Sequence, residues 1–168
     1  QFDDPAPLQK QQQRDSFPYT WIQVPGGGIL VGTNMGDVYE VSENGMIEVH
    51  RWRNGTSWQP YTMLLLDDRV LVGQYPSGQI YEYHPANYSL VLLQNNVGIE
   101  PGALQHVREA QTLMIYGDEM LVGVWPWGSL WATSARQKNG PWKLRRRLFH
   151  TPPIDHGDAA WVTYIVNK

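Results

Sequence analysis

The chain has 168 residues, 42% of them apolar, and a formal net charge of −3 at pH 7. The apolar content is sufficient for a globular core, and the small charge argues against a general attraction to nucleic acid or to an anionic membrane. No apolar run approaches the roughly 20 residues of a membrane-spanning helix, and the lack of cysteine excludes a disulfide framework, a thiolate metal site and a cysteine nucleophile.

The first 18 residues are polar and rich in glutamine, with three prolines and no hydrophobic periodicity. Such a composition does not supply an apolar face that could pack as a helix or a strand. The sequence therefore predicts a polar N-terminal arm over residues 1–18.

From residue 19 onward, short runs of β-branched and aromatic residues alternate with turns that contain glycine, asparagine or aspartate, a pattern typical of β-strands. Twelve strands are predicted in three groups of four. The first group is 19–24, 29–33, 37–42 and 46–52. The second group is 61–66, 69–74, 79–84 and 89–94. The third group is 111–116, 119–124, 129–133 and 142–149.

Each group contains the motif L-V-G, three or four further residues, and then G-x-[V/I/L]-[Y/W]. The glycines of L-V-G are Gly32, Gly73 and Gly123, which lie 41 and 50 residues apart. A period of 40 to 50 residues made of short strands is typical of the blades of a β-propeller. The repeated Tyr39, Tyr81 and Trp131 are expected to fill the space between neighbouring blades.

The predicted fold is all-β: a partial β-propeller of about three four-stranded blades plus the first strand of a fourth. The blades span residues 19–60, 61–110 and 111–158, and residues 159–168, with the apolar run AWVTYIV, supply the first strand of the fourth. A closed propeller has roughly four to eight blades. We therefore expect the remaining propeller segment to come from a companion chain or, alternatively, from a second copy in a homodimer.

The second blade contains an insertion over residues 95–110, NNVGIEPGALQHVREA. Its latter half follows Pro101 and lacks the alternation of a strand. The sequence predicts a short helix over residues 102–110, the only helix expected in the chain.

Loops that join the second and third strands of each blade lie on the same face as the connections between blades. Several aromatic and polar residues fall in these loops. Exposed aromatic rings beside hydrogen-bonding groups suit sugars, whose C–H faces stack on a ring while their hydroxyls need donors and acceptors. The candidate substrate-binding residues are Asn34, Trp58, Trp125 and Trp127.

The same loops contain residues that could transfer protons. His106 and His156 are candidates for a general base and acid, because the pKa of histidine lies near neutrality. Arg108 could neutralise a uronate carboxylate, and Tyr75 could return the proton during elimination. A glycosidase needs two carboxylates about 5 to 10 Å apart, and Asp155 and Asp158 lie too close in sequence to favour that pair.

The sequence requires no cofactor, and no catalytic metal site is assigned. Asp155, His156 and Asp158 together could hold a structural divalent ion, although they lack a calcium-loop spacing. Two N-glycosylation acceptor patterns begin at Asn54 and Asn87 and agree with a secreted or periplasmic location. The basic run 143–147 favours a solvated outer edge, with contact to an acidic polymer as the alternative.

The elements LVGQYPSGQIYEY and LVGVWPWGSLW, the latter followed by PWKLRRRLF, resemble blades of large secreted β-propellers of the sialidase-like and polysaccharide-lyase-like type. The resemblance implies the fold, whereas no catalytic residue of those families is carried over by a motif. We expect a carbohydrate-directed propeller that binds a polysaccharide at the channel mouth. If it is an enzyme, it is a polysaccharide lyase or a glycoside hydrolase. The alternative is a non-catalytic scaffold for protein–protein interaction.

Overall fold

The computed structural model describes residues 16–52, 59–95, 97–99, 108–125, 128–137 and 140–147. These residues form twelve β-strands in three four-stranded antiparallel sheets, which confirms the predicted all-β class. The first sheet contains β1 (Pro18–Gln23), β2 (Ile29–Thr33), β3 (Asp37–Ser42) and β4 (Gly45–Arg51). The second contains β5 (Gln59–Leu66), β6 (Arg69–Tyr75), β7 (Ile80–His84) and β8 (Ser89–Gln94). The third contains β9 (Glu109–Tyr116), β10 (Glu119–Trp125), β11 (Ser129–Ser134) and β12 (Lys143–Arg147).

The expected helix over 102–110 is wrong at its C-terminal end. Glu109 and Ala110 belong to β9, where they pair with Trp125 and Val124 of β10. The remaining residues of that expected helix, up to residue 107, lie outside the described residues, as do residues 1–15 of the arm predicted over 1–18 and the predicted strand at 160–166. The ladder with β10 prevails at residues 109 and 110 because each paired residue satisfies its backbone groups there.

The strands of each sheet are hydrogen-bonded in sequence order, and the sequence repeat has the same register in all three sheets. The leucine of L-V-G pairs with the same position of the third strand each time. The pairs are Leu30 with Glu40, Leu71 with Glu82, and Leu121 with Ala132. The repeat read from the sequence is therefore a repeat of structure.

Two apolar clusters fill the spaces between consecutive sheets. The cluster between the first and second sheets contains Val24, Leu30, Val38, Val70, Val72 and Tyr83. The cluster between the second and third sheets contains Leu71, Ile80, Val97, Ala110, Leu113, Met120, Val122 and Val124. Complete burial of one Val or Leu side chain contributes about 1.5–3 kcal/mol to stability. The sheets are thus joined face to face, and β5 contacts β1 on one side and β9 on the other.

In the first two sheets the glycine of L-V-G is needed because the next sheet packs directly on it. A Cβ atom on Gly32 would lie 2.2 Å from Cγ of Pro60, and a Cβ atom on Gly73 would lie 2.5 Å from the carbonyl oxygen of Ala110. Both distances are far below van der Waals contact. Only glycine allows this close approach of one sheet to the start of the next.

Within the described ranges, the three sheets do not close into a barrel. Their arrangement as blades around a common axis stays a prediction. The described residues include no helix long and apolar enough to cross a membrane.

Candidate functional site

Four side chains from three sheets meet near the starts of the first strands, and we call them the Tyr–Glu cluster: Tyr19, Tyr61, Tyr75 and Glu109. The ring centroids of Tyr19 and Tyr61 are 5.1 Å apart with the planes at 82°. The centroids of Tyr61 and Tyr75 are 6.1 Å apart at 64°. Such edge-to-face pairs are favourable beyond the area that they bury. The three phenol rings therefore form a connected group.

Two β-bulges help to position the tyrosines. The pairing of β1 with β2 shifts register between Pro18 and Thr20, which leaves Tyr19 out of the ladder. The pairing of β5 with β6 shifts between Pro60 and Thr62, which leaves out Tyr61 at the corresponding place. A bulge bends the strand and redirects a side chain, and bulges are frequent next to active sites.

Glu109 begins β9 and is only 7% exposed. Burial raises its pKa to about 7, while a hydrogen bond from the Tyr61 hydroxyl acts in the opposite direction. Burial also raises the pKa of Tyr61, with further contributions from Tyr19 and from the charge of Glu109. A carboxyl group with this pKa can exist as acid or as carboxylate near neutral pH, as general acid–base catalysis requires.

Three of the predicted site residues lie at or next to this cluster. Tyr75 is a member of it. Trp125 pairs with Glu109 across the ladder between β9 and β10 and is half-buried. The backbone carbonyl of Asn34 accepts a hydrogen bond of 2.9 Å from Nε2 of Gln59, and Gln59 pairs with Tyr75. The structure therefore brings Asn34, Tyr75 and Trp125 to one end of neighbouring sheets.

Arg108 lies beside the cluster, but its side chain is turned into the protein and only 5% of the residue is exposed. Nε donates to the carbonyl oxygen of Val97 at 2.6 Å, and Nη2 donates to that of Asn95 at 2.8 Å. Its backbone N–H donates to the carbonyl oxygen of Pro76 at 2.8 Å. Burial lowers the pKa of this guanidinium. These contacts give Arg108 a structural role that the sequence did not suggest, and its binding of a substrate carboxylate stays a prediction.

The other predicted site residues lie outside the described residues, and their roles stay predictions. They are His106 and His156 as proton-transfer residues, Trp58 and Trp127 as substrate-binding residues, and Asp155 and Asp158 as possible ligands of a divalent ion. Among the residues that the structure describes, no group of three His, Asp or Glu side chains could hold a metal ion.

The sequence pattern did not indicate Tyr19, Tyr61 or Glu109 as site residues. The place of Glu109 could have been predicted from the repeat. The pairs Gln59-Pro60 and Glu109-Ala110 occupy the same place relative to the glycine of the next L-V-G motif. Assigning residues 102–110 to a helix concealed that equivalence. The contribution of Tyr19 depends on contact between sheets, which no local pattern reveals.

A cavity of about 340 Å³ lies at the opposite end of the third sheet. Its lining includes Asp118, which forms a 2.7 Å ion pair with Arg136, and Glu119, which pairs with Arg145. The charges of these carboxylates are thus already compensated by exposed arginines. The Tyr–Glu cluster, with its buried carboxyl group and phenol rings, is the stronger candidate for a functional site.

No protein-family model and no curated protein sequence matches the chain. A crystal structure of a protein of unknown function from Bacteroides caccae matches it with a TM-score of 0.50 and 16% sequence identity. The alignment covers 81% of this chain and 47% of the other, so this chain spans about half the length of that protein. At this identity the similarity shows the fold alone. The resemblance to sialidase-like and lyase-like propellers stays a prediction.

Proposed function

We propose that the three sheets are blades of a β-propeller and that the Tyr–Glu cluster binds a polysaccharide at one end of its channel. The propeller arrangement is supported by the common register of the three sheets and by their face-to-face packing in chain order. Contact of β5 with both β1 and β9 agrees with first strands that lie side by side around an axis.

The observation that carries the proposal is the group of three tyrosine rings next to a buried carboxyl group. Tyr19 is 42% exposed, and Tyr61 and Tyr75 are half-buried, so parts of the cluster reach the surface. Ring faces can stack on the C–H faces of a sugar, while the phenol hydroxyls and Glu109 offer hydrogen bonds to sugar hydroxyls. Protein sites for small polar ligands commonly combine these two kinds of contact.

The enzymatic form of this proposal is cleavage of a uronate-containing polysaccharide by elimination. Glu109, as carboxylate, takes the proton from the carbon next to the uronate carboxyl group. A carbon–carbon double bond forms, the glycosidic carbon–oxygen bond breaks, and the leaving oxygen takes a proton from the Tyr75 hydroxyl. A pKa near 7 keeps part of Glu109 in the carboxylate form at neutral pH while leaving it basic enough to accept a proton.

Binding is tested by titration calorimetry with a panel of neutral and uronate-containing polysaccharides. Tyr75→Ala is expected to weaken binding at least tenfold, about 1.4 kcal/mol, whereas Tyr75→Phe retains most of the affinity because the ring remains. Tyr116→Ala is the matched control, since Tyr116 is 71% exposed at the opposite end of β9. Equal affinities of Tyr75→Ala, Tyr116→Ala and the unmodified protein would reject the site.

Elimination is tested by incubating the protein with the polymers that bind and following the ultraviolet absorbance of an unsaturated product. Glu109→Gln is expected to abolish product formation while binding persists, because glutamine keeps the shape of the side chain but cannot accept the proton. Binding without product from the unmodified protein would reject the enzymatic form and leave a carbohydrate-binding module.

The second candidate function is a non-catalytic scaffold for protein partners. It is favoured by apolar side chains exposed on the outer strands, with Met46 and Ile47 on β4 and Val91 and Leu92 on β8. Outer edges with exposed apolar side chains can receive a strand or an apolar surface of another protein. Absence of binding across the polysaccharide panel would favour this candidate over the first.

A further inference from the structure

The third sheet has an apolar face that the other described sheets do not cover. Leu121 and Leu130 on this face are only half-buried, and Met114 is 49% exposed. The residues at the positions of Leu121 and Leu130 in the first two sheets are fully buried, because the following sheet packs on them. They are Leu30 and Val38 in the first sheet and Leu71 and Ile80 in the second. Among the residues that the structure describes, none gives the third sheet the cover that its two predecessors have.

The interface between the first and second sheets and the interface between the second and third sheets share one contact. A strand that covers the third sheet is expected to make the same contact. The glycine of L-V-G meets the residue just inside the first strand of the following sheet: Gly32 meets Pro60, and Gly73 meets Ala110. Gly123 is the corresponding glycine of the third sheet. Among the described residues, an added Cβ there would meet only Thr112 of its own sheet within 4 Å.

A hydrogen bond also crosses the interface between the second and third sheets. The backbone N–H of Leu113 in β9 donates to Oγ1 of Thr62 in β5 at 3.3 Å. Thr112 occupies the position of Thr62 in the third sheet, since each lies opposite the glycine of L-V-G in the ladder. Thr112 therefore carries a hydroxyl at the equivalent position, although its Oγ1 lies toward Gly123 where Thr62 presents Cγ2 to Gly73. A rotation about χ1 brings this hydroxyl to the place of the Thr62 acceptor.

We propose that residues 159–166 of this chain, AAWVTYIV, form the first strand of a fourth sheet and cover the open face of the third. Ala160 follows Ala110 by 50 residues, as Ala110 follows Pro60. The same spacing places Thr163 at the position of Leu113. Ala160 then packs on Gly123, and the Thr163 N–H donates to Oγ1 of Thr112. The nearly continuous apolar character of the segment suits a strand covered on both faces.

Paired cysteines test this placement cleanly, because the chain has no cysteine of its own. Oγ1 of Thr62, the place that a cysteine sulfur would take, lies 3.3 Å from the backbone nitrogen of Leu113, which is within reach of a disulfide between the two positions. Thr62→Cys with Leu113→Cys is therefore the reference pair, and Thr112→Cys with Thr163→Cys is the test pair. Thr112→Cys with Val162→Cys is the matched control, since neighbouring side chains of a strand point to opposite faces.

The expected result is an intramolecular disulfide in the reference and test pairs and free thiols in the control, as read by mass mapping of unreduced peptides. Free thiols in the test pair, while the reference pair oxidises, would overturn the proposal. A disulfide between two copies would overturn it as well. It would assign the open face to a second molecule, whose first sheet offers Trp21, 66% exposed, on its own uncovered face.

Amide hydrogen exchange of the unmodified chain gives a second test that does not depend on the cysteine variants folding. The Thr163 amide is expected to be protected at least about tenfold over an unstructured peptide. Thr112→Val should remove this protection and Thr112→Ser should retain it, as Thr62→Val and Thr62→Ser should do for the Leu113 amide. Exchange of Thr163 at the rate of an unstructured peptide would overturn the proposal, whatever the thiol result.

Discussion

The hydroxyl of Tyr83 in β7 donates a hydrogen bond to the carboxylate of Glu40 in β3, and this bond joins the second sheet to the first. The ring of Tyr83 is completely buried in the apolar cluster between these sheets. Burial, together with the bond to Glu40, raises the pKa of Tyr83. The bond therefore connects a fully buried hydroxyl to a residue 43 positions away in the sequence, and it specifies how the two sheets face each other.

Tyr83→Phe is expected to lower the free energy of unfolding by about 1–3 kcal/mol, because Glu40 loses its donor in a partly buried place. Thr133→Val is the control at the corresponding position of the third sheet. Oγ1 of Thr133 is buried with no hydrogen-bond partner in the described part of the chain, so valine should cost less than about 0.5 kcal/mol or stabilise. Urea unfolding measures both, and equal losses would contradict the role of the Tyr83 hydroxyl.

Arg69 and Glu82 form a buried ion pair within the second sheet. Nη1 of Arg69 lies 2.7 Å from Oε2 of Glu82, whose side chain is 2% exposed, and Nε2 of His84 lies 2.7 Å from Oε1. Arg69→Met should destabilise by about 3–5 kcal/mol, because a buried carboxylate loses its guanidinium partner.

The double variant Arg69→Met with Glu82→Gln should recover a large part of that loss, since no buried charge then lacks its compensation. Chemical denaturation of the single and double variants gives the coupling free energy. A double variant as unstable as Arg69→Met would show that the loss comes from packing of the long arginine side chain.

The strands and their repeat could be predicted because their signals are local. Glycine at L-V-G and the alternation around it are properties of a few neighbouring residues, and they located the strands to within about two residues at most boundaries. The Tyr–Glu cluster could not be predicted in this way, because it depends on bulges at Tyr19 and Tyr61 and on contacts between sheets. Glu109 was concealed by its place at the end of an insertion, directly after Arg108, whose guanidinium donates to the carbonyl oxygens of Val97 and Asn95.

Arg108→Lys separates a structural role from a role in binding uronate. A lysine ammonium cannot reproduce the fork by which Arg108 reaches the carbonyl oxygens of Val97 and Asn95. We expect a loss of about 2 kcal/mol in the free energy of unfolding and faster amide exchange at residues 97–99. The affinity of the folded variant for polysaccharide should stay unchanged. Unchanged stability together with weaker binding of uronate polymers only would instead support the substrate-binding role that the sequence predicted.

The carboxyl group of Glu109 makes stability depend on pH in a direction that can be derived from its pKa. Burial raises this pKa from an ordinary value of 4.5 to about 7. Between these values the folded state holds more protons than the unfolded state. The contribution of the protonated Glu109 carboxyl group to the unfolding free energy is therefore complete below about pH 4.5 and is lost as the pH rises through 7. The loss amounts to at most about 3 kcal/mol.

The side chain of Glu109→Gln cannot ionise, so the unfolding free energy of this variant should lack the decline. Relative to the unmodified protein, the variant should therefore become more stable as the pH rises from 5 to 8. Tyr61→Phe is the companion variant, because the Tyr61 hydrogen bond lowers the pKa of Glu109. Without this hydrogen bond, the decline in unfolding free energy should occur at higher pH. Denaturant unfolding at a series of pH values measures all three proteins. Parallel stability curves for the unmodified protein and Glu109→Gln would show that the carboxyl group is hydrated, because a hydrated carboxyl has no reason to remain protonated near neutrality.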